Sequence, residues 1–191
     1  MRLFIAVDLP VSLKERLREI VAELSACGAD VRWVHADSMH LTLKFLGNVE
    51  PGELVAIDGV LSRVAGTAQS THCRLRNLGS FPHLRRPRVL WIGVETIDAA
   101  LLSLHAELDA SLAEIGFAKE KRGFHPHITL GRVRHSSGLP ALRKVVEARD
   151  QLVAGEFVID RLTLFESELR QTGARHTQFG VYPFGQSLSL P

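Results

Sequence analysis

The sequence predicts an α+β fold built by internal duplication. Two mainly antiparallel sheets with outer helices are expected, related by a pseudo-two-fold axis and facing each other across a cleft. Three observations carry this prediction. The chain repeats itself at a constant shift of 87 residues, the distance from His40 to His127. Strand-like and helix-like segments follow in the same order in both copies. Each copy also carries one His-x-Thr on a strand. The repeat covers approximately 1–80 and 88–167 of a single domain spanning 1–191. Leu3, Ile5 and Val7 fall on Leu90, Ile92 and Val94, and Leu17 falls on Leu104. His40, Thr42 and Leu43 fall on His127, Thr129 and Leu130, and Arg74 and Leu75 on Arg161 and Leu162, with no gap.

The elements follow from periodicity. "RLFIAVDL" and "RVLWIGVE" are rich in β-branched and aromatic residues and read as strands. A helix is expected over 11–27, with Leu13, Leu17, Ile20, Val21 and Leu24 as its stripe and Pro10 and Ser12 at its start. Its counterpart runs from about 98 to 115 on Leu101, Leu104, Leu108, Leu112 and Ile115, with Gly116 as C-cap. "HLTLKFLG" (40–47) and "HITLGRVR" (127–134) are the strands bearing the histidines. Second helices are expected near 51–65 and 139–150, then strands at "THCRLRNLG" and "FVIDRLTLFES". The tail "RHTQFGVYPF" can supply one more strand.

Composition narrows the class. With 191 residues, 46% of them hydrophobic, the chain can bury one good core. A formal net charge of +2 does not by itself announce a nucleic-acid binder. Cys27 and Cys73 lack metal-ligand spacing and do not make a secreted disulfide scaffold, so a reducing cytoplasm is expected. The opening apolar run ends at Asp8 and Pro10, too short for a signal peptide or a membrane span. A soluble, cytoplasmic monomer with no membrane partner is the expectation.

Alternation along a strand puts His40 and Thr42 on one face and Leu41 and Leu43 on the other. The same holds for His127 and Thr129 against Ile128 and Leu130. A two-fold relation between lobes would aim both stripes into one cleft. Two imidazoles titrating near neutrality can then flank one ligand, one accepting a proton and the other donating. Threonine hydroxyls can hold an oxyanion between them. In-line displacement at phosphorus needs this layout, with a base behind the nucleophile and an acid at the leaving oxygen. The near-equivalence of the halves leaves open which histidine does which. "HPH" at 125–127 has metal-ligand spacing but no evident third ligand, and Ser38 replaces His125 in the first copy. No metal and no cofactor are expected, and His125 is placed at the cleft edge, in reach of substrate.

Other candidates are less determined. Regular alternation turns Arg132 away from His127, unless Gly131 marks a bulge that re-aims it toward a phosphate. Phe45, its counterpart, can stack on a base or join the core. Arg85, Arg86 and Arg88 of "HLRRPR" can track a polyanionic backbone, with Lys44 and Arg134 adding to that field. Phe165 reads as core or as a stacking platform.

These residues resemble the paired His-x-Thr-x motifs of the two-histidine phosphoesterase superfamily, and within it the RNA 2',3'-cyclic phosphodiesterases, also called 2'-5' RNA ligases. "MRLFIAVDLP", "VRWVHADSMHLTLKFLG", "FPHLRRPRVLWIGV", the "GF" before "HPHITLGR" and "RLTLFESEL" are similar to that family in order along nearly the whole chain. The resemblance implies a bilobal fold and metal-free hydrolysis of a 2',3'-cyclic phosphate at an RNA 3' end to a 2'-phosphate. It implies that His40 protonates the leaving 3' oxygen, that His127 activates water, and that Thr42 and Thr129 hold the phosphate. It places Arg132 at the active site and allows joining of RNA ends through a 2'-5' linkage. The expected partners are RNAs with cyclic phosphate ends, tRNA fragments among them. A relative acting on a small cyclic nucleotide, and a binding module without turnover, are the alternatives.

Overall fold

The computed structural model describes residues 1–96, 98–170 and 173–185, the side chains of 169, 170, 173 and 174 aside. In chain order the elements are β1 (Arg2–Asp8), α1 (Val11–Ser25), β2 (Val31–Trp33), β3 (His40–Asn48), α2 (Leu54–Thr67), β4 (Thr71–Phe81), β5 (Val89–Thr96), α3 (Ala100–Glu114), β6 (His127–Val133), α4 (Leu139–Glu147), β7 (Val153–Ile159), β8 (Arg161–Arg170) and β9 (Gly173–Pro183). Pro10 stands just before α1, where its fixed φ and missing N–H suit a helix start. Gly116, at φ +100°, closes α3 as expected. Residues 51–53 form a 3-10 turn ahead of α2 rather than its first turn.

Among the described residues nine strands form one antiparallel sheet in the order β7-β4-β5-β6-β3-β1-β8-β9, with β2 also on β6. The two expected sheets are its halves. They join only where β3 meets β6, at the single pair Leu41–Ile128, between the two histidine strands. The lobes are not the two sequence copies. β4 of the first copy pairs with β5 of the second, and β8 of the second pairs with β1 of the first. The helices are exchanged in the same way: α2 packs on α3 under β8 and β9, and α1 packs on α4 and β7. Each copy gives its histidine strand to one lobe and its first helix and last strand to the other. The leucine faces of both lobes, with Leu41, Leu130, Leu17 and Leu104 among them, merge into one continuous core.

"FVIDRLTLFES" is two strands, not one. Phe157 and Ile159 of β7 join the main core, and on β8 Leu162 and Leu164 do so, out of phase by one residue, while Thr163 and Phe165 are buried on the opposite face. The slip at Asp160 marks where the chain leaves β4 in one lobe for β1 in the other. The tail forms β9 on β8, as the sequence suggested. Cys27 and Cys73 are free thiols, half-buried and buried. No helix among the described residues is long and apolar enough to cross a membrane.

Candidate active site

The junction sets the site. An antiparallel pair with Leu41 opposite Ile128 runs His40 alongside Thr129 and Thr42 alongside His127. Leu41 and Ile128 are wholly buried, so the histidines and threonines, one residue away, take the opposite face. All four are half-buried and face the cleft.

Both imidazoles face a backbone carbonyl two residues upstream. Nδ1 of His127 lies 2.6 Å from the carbonyl oxygen of His125. A carbonyl only accepts, so Nδ1 carries the proton and Nε2 is left free to accept one from the cleft. The Ser38 carbonyl, two residues upstream of His40, stands in the equivalent place and favours the charged ring. Trp91 lies beside His127 (ring centroids 6.2 Å) and Phe4, its repeat counterpart, beside His40 (4.7 Å). Desolvation by these surroundings lowers both pKa values. His40 is pushed down to about 4, chiefly by burial and then by the nearby His176, against the Ser38 carbonyl and Asp8, which raise it. His127 is lowered by burial, with His125 and Arg132 adding to the effect and the His125 carbonyl opposing it.

Bulges sort the remaining candidates. On β6 the pairing with β5 slips between Leu90–Gly131 and Trp91–Thr129, leaving Leu130 as the extra residue. Val89 and Trp91 share a face, so Arg132, opposite Val89, returns to the face of Thr129 and His127. The bulge anticipated at Gly131 is therefore present one residue earlier. Leu43, the counterpart of Leu130, is bulged against β1, and it puts Phe45 on the histidine face, 60% exposed. Phe45 is thus a wall of the cleft, not core. The same slip sends Lys44 inward. It is 3% exposed, pairs with Asp109 of α3 and donates to the Ala118 carbonyl at 2.6 Å. The expectation that Lys44 adds to a basic field is overturned, because its charge is neutralised inside the fold.

Phe165 meets both readings. It is buried, yet on the cleft face, stacked on Phe4 at 5.3 Å in a small cluster with Ala6 that is separate from the main core. His125 is exposed at the cleft edge, its ring 6.2 Å from Phe81, which also packs on His127. Arg85 and Arg86 are exposed on the loop joining β4 to β5. Arg85 lines a surface pocket with His83, Leu84, Arg143 and Glu147. Among the described residues no group of three or more His, Cys, Asp or Glu side chains is placed to hold a metal.

His176 was not anticipated. It lies on β9 opposite Ser167, on the face of Phe165, with its ring 5.2 Å from His40 and 5.0 Å from Phe4. Its Nδ1 is buried without a protein partner. The tail lies outside the duplicated unit, so the repeat gave no reason to single it out.

The profile of the 2'-5' RNA ligase superfamily matches residues 8–171. A protein of Thermotoga maritima named RNA 2',3'-cyclic phosphodiesterase is 36% identical over 173 residues, 91% of this chain and 90% of its own. One of the same name from Methanothermobacter thermautotrophicus is 31% identical over 181 residues, 95% of this chain and 97% of its own. Among solved structures, Escherichia coli LigT complexed with 3'-AMP superposes with a TM-score of 0.78 at 28% identity, covering 97% of this chain and 98% of that one. TT0787 of Thermus thermophilus superposes with a TM-score of 0.82 at 27% identity, over 98% of this chain and 100% of that one.

Proposed function

The chain belongs to the 2'-5' RNA ligase superfamily, and from that premise we propose that it is a metal-independent RNA 2',3'-cyclic phosphodiesterase. The observation that carries this reading is the pair of half-buried imidazoles on either side of the Leu41–Ile128 junction, His127 held by the carbonyl two residues upstream and His40 facing its counterpart at Ser38. In this reading Nε2 of His127 takes a proton from water as the water oxygen attacks phosphorus. The bond from phosphorus to the 3' oxygen breaks, and His40 protonates that oxygen. The products are a 2'-phosphate and a free 3' hydroxyl, and proton exchange with solvent resets both rings. Thr42 and Thr129 donate to the non-bridging oxygens, and Arg132 brings its guanidinium fork to the same phosphate. Phe45 offers its exposed ring to the terminal base. An RNA hydroxyl in place of water gives 2'-5' joining by the same proton transfers. RNAs with cyclic phosphate ends, tRNA fragments among them, are the substrates in this reading. A single chain supplies both histidines, so a monomer suffices.

The test is hydrolysis of a cyclic-phosphate-ended oligoribonucleotide in EDTA, by the wild type and by His40→Ala and His127→Ala. Activity should persist in the chelator and fall at least about 10²-fold in each variant. A wild type that is dead in EDTA overturns the metal-free mechanism. Full activity in either variant removes that histidine from the chemistry.

A further inference from the structure

β6 continues past its histidine as a row of cations. Arg32 of β2 pairs directly with Arg132, and the Arg134 amide donates to the Asp30 carbonyl just past the end of that ladder, which closes at Val31–Val133. Paired residues of an antiparallel ladder share a face, and Arg134 is two residues beyond Arg132. Arg32 and Arg132 therefore stand on the face of His127 and Thr129, and alternation from Arg132 carries Arg134 to the same side, while Val31 and Trp33 turn back to the core. All three arginines are exposed. None makes a side-chain hydrogen bond or ion pair among the described residues. Asp30, whose carbonyl accepts the Arg134 amide, has its carboxylate 3.9 Å from His135.

Like charges directly opposed across strands are destabilising, so the Arg32–Arg132 pair is a place an anion would relieve. Positions two apart on a strand are separated by about 6.6 Å, of the order of the step between successive phosphates of a nucleic-acid strand. We propose that Arg32 and Arg134, beyond Arg132, form a binding track for the phosphodiesters immediately 5' of the cyclic end. The track then favours an oligoribonucleotide over a mononucleotide carrying the same cyclic end. This rests on the functional reading above and extends it from the reacting phosphate to the chain behind it. Its chemistry is backbone neutralisation, so it tracks length and charge, not base sequence.

The experiment compares a nucleoside 2',3'-cyclic phosphate with a short oligoribonucleotide ending in the same group, at several salt concentrations. The proteins are the wild type, Arg32→Gln, Arg134→Gln, Arg32→Lys and the double variant Arg85→Gln/Arg86→Gln, with thermal melts confirming the fold. Each glutamine variant on the track should lose about tenfold in kcat/KM on the oligomer, mostly through KM. Each should keep mononucleotide hydrolysis within about twofold. The log–log salt dependence on the oligomer should flatten by about 0.7 per contact removed, and Arg32→Lys should keep most of the slope. Anisotropy with a labelled oligomer ending in a 2'-phosphate reads the same track without turnover. Weakened oligomer binding in the glutamine variants beside a wild type inactive on both substrates would sustain the track and overturn the hydrolase reading. Equal losses on both substrates, or no loss on either, overturn the track. So does a slope that flattens only in the Arg85/Arg86 variant, which would route the RNA over the other loop.

Discussion

His40 is neutral in the free protein at pH 7, although its proposed task is to give a proton away. With its pKa near 4, charging it at pH 7 costs about 4 kcal/mol, three pH units at 1.36 kcal/mol each. An anion about 4 Å from the ring at an effective dielectric of about 20 returns roughly 4 kcal/mol. The bound substrate's own charge is thus sufficient to bring His40 to about pH 7 and arm it as an acid. Binding any tetrahedral anion in the cleft should therefore raise the His40 pKa by about three pH units. The assay is a histidine NMR titration between pH 3 and 8, with and without saturating sulfate, whose charge is constant over that range. Sulfate affinity should rise about tenfold per pH unit as pH falls from 7 to 4. Stability carries the same depression with a definite sign. The folded pKa lies below the unfolded 6.5, so the unfolded chain binds the proton more readily. Stability from this group is complete above pH 6.5 and falls by about 3 kcal/mol as pH drops to 4. A His40 resonance titrating near 6.5 in the free protein refutes the reasoning. One that sulfate leaves unmoved while His127 shifts would exchange the two roles.

Two further outcomes follow from the site and its support. Thr42→Val and Thr129→Val each remove a proposed donor to the phosphate while keeping shape, and should lower kcat about 10²-fold with melting unchanged; a loss in KM alone would make them ground-state contacts. Lys44→Met strands Asp109 and the Ala118 carbonyl and should destabilise by about 3–5 kcal/mol in denaturant unfolding. Lys44→Met with Asp109→Leu should recover the part due to the unpaired Asp109 charge, leaving the Ala118 carbonyl and the Glu120 amide without their partners, and a Lys44→Met protein as stable as wild type would show the pair to be dispensable.

The histidines and threonines were legible because period two is a local property, repeated at a constant shift. Burial of Leu41 and Ile128 then leaves His40 and His127 one choice of face. Arg132 and Phe45 were half-legible. Their type suited a ligand, but their direction hung on one extra residue, Leu130 or Leu43, that only pairing with a neighbouring strand reveals. Lys44 was misread for the same reason, since the slip that frees Phe45 buries it. His176 had no periodic partner and is brought to His40 by β9 pairing with β8. The one-residue slip in apolar phase at Asp160 was visible in the sequence as Phe157, Ile159, Leu162 and Leu164, and it marks the division of that segment into two strands.

By itself the sequence determined the duplication, the apolar and polar faces of each strand and helix, and the two His-x-Thr stripes. Side-chain alternation and helical period are set within a few residues by backbone stereochemistry. The tertiary structure alone decided the exchange of α1 and β4 between lobes, the junction at Leu41–Ile128, and the bulges that bring Arg132 to the site and take Lys44 away. Those depend on which distant strand satisfies each backbone N–H and C=O, a choice spread over the whole sheet and written in no single segment.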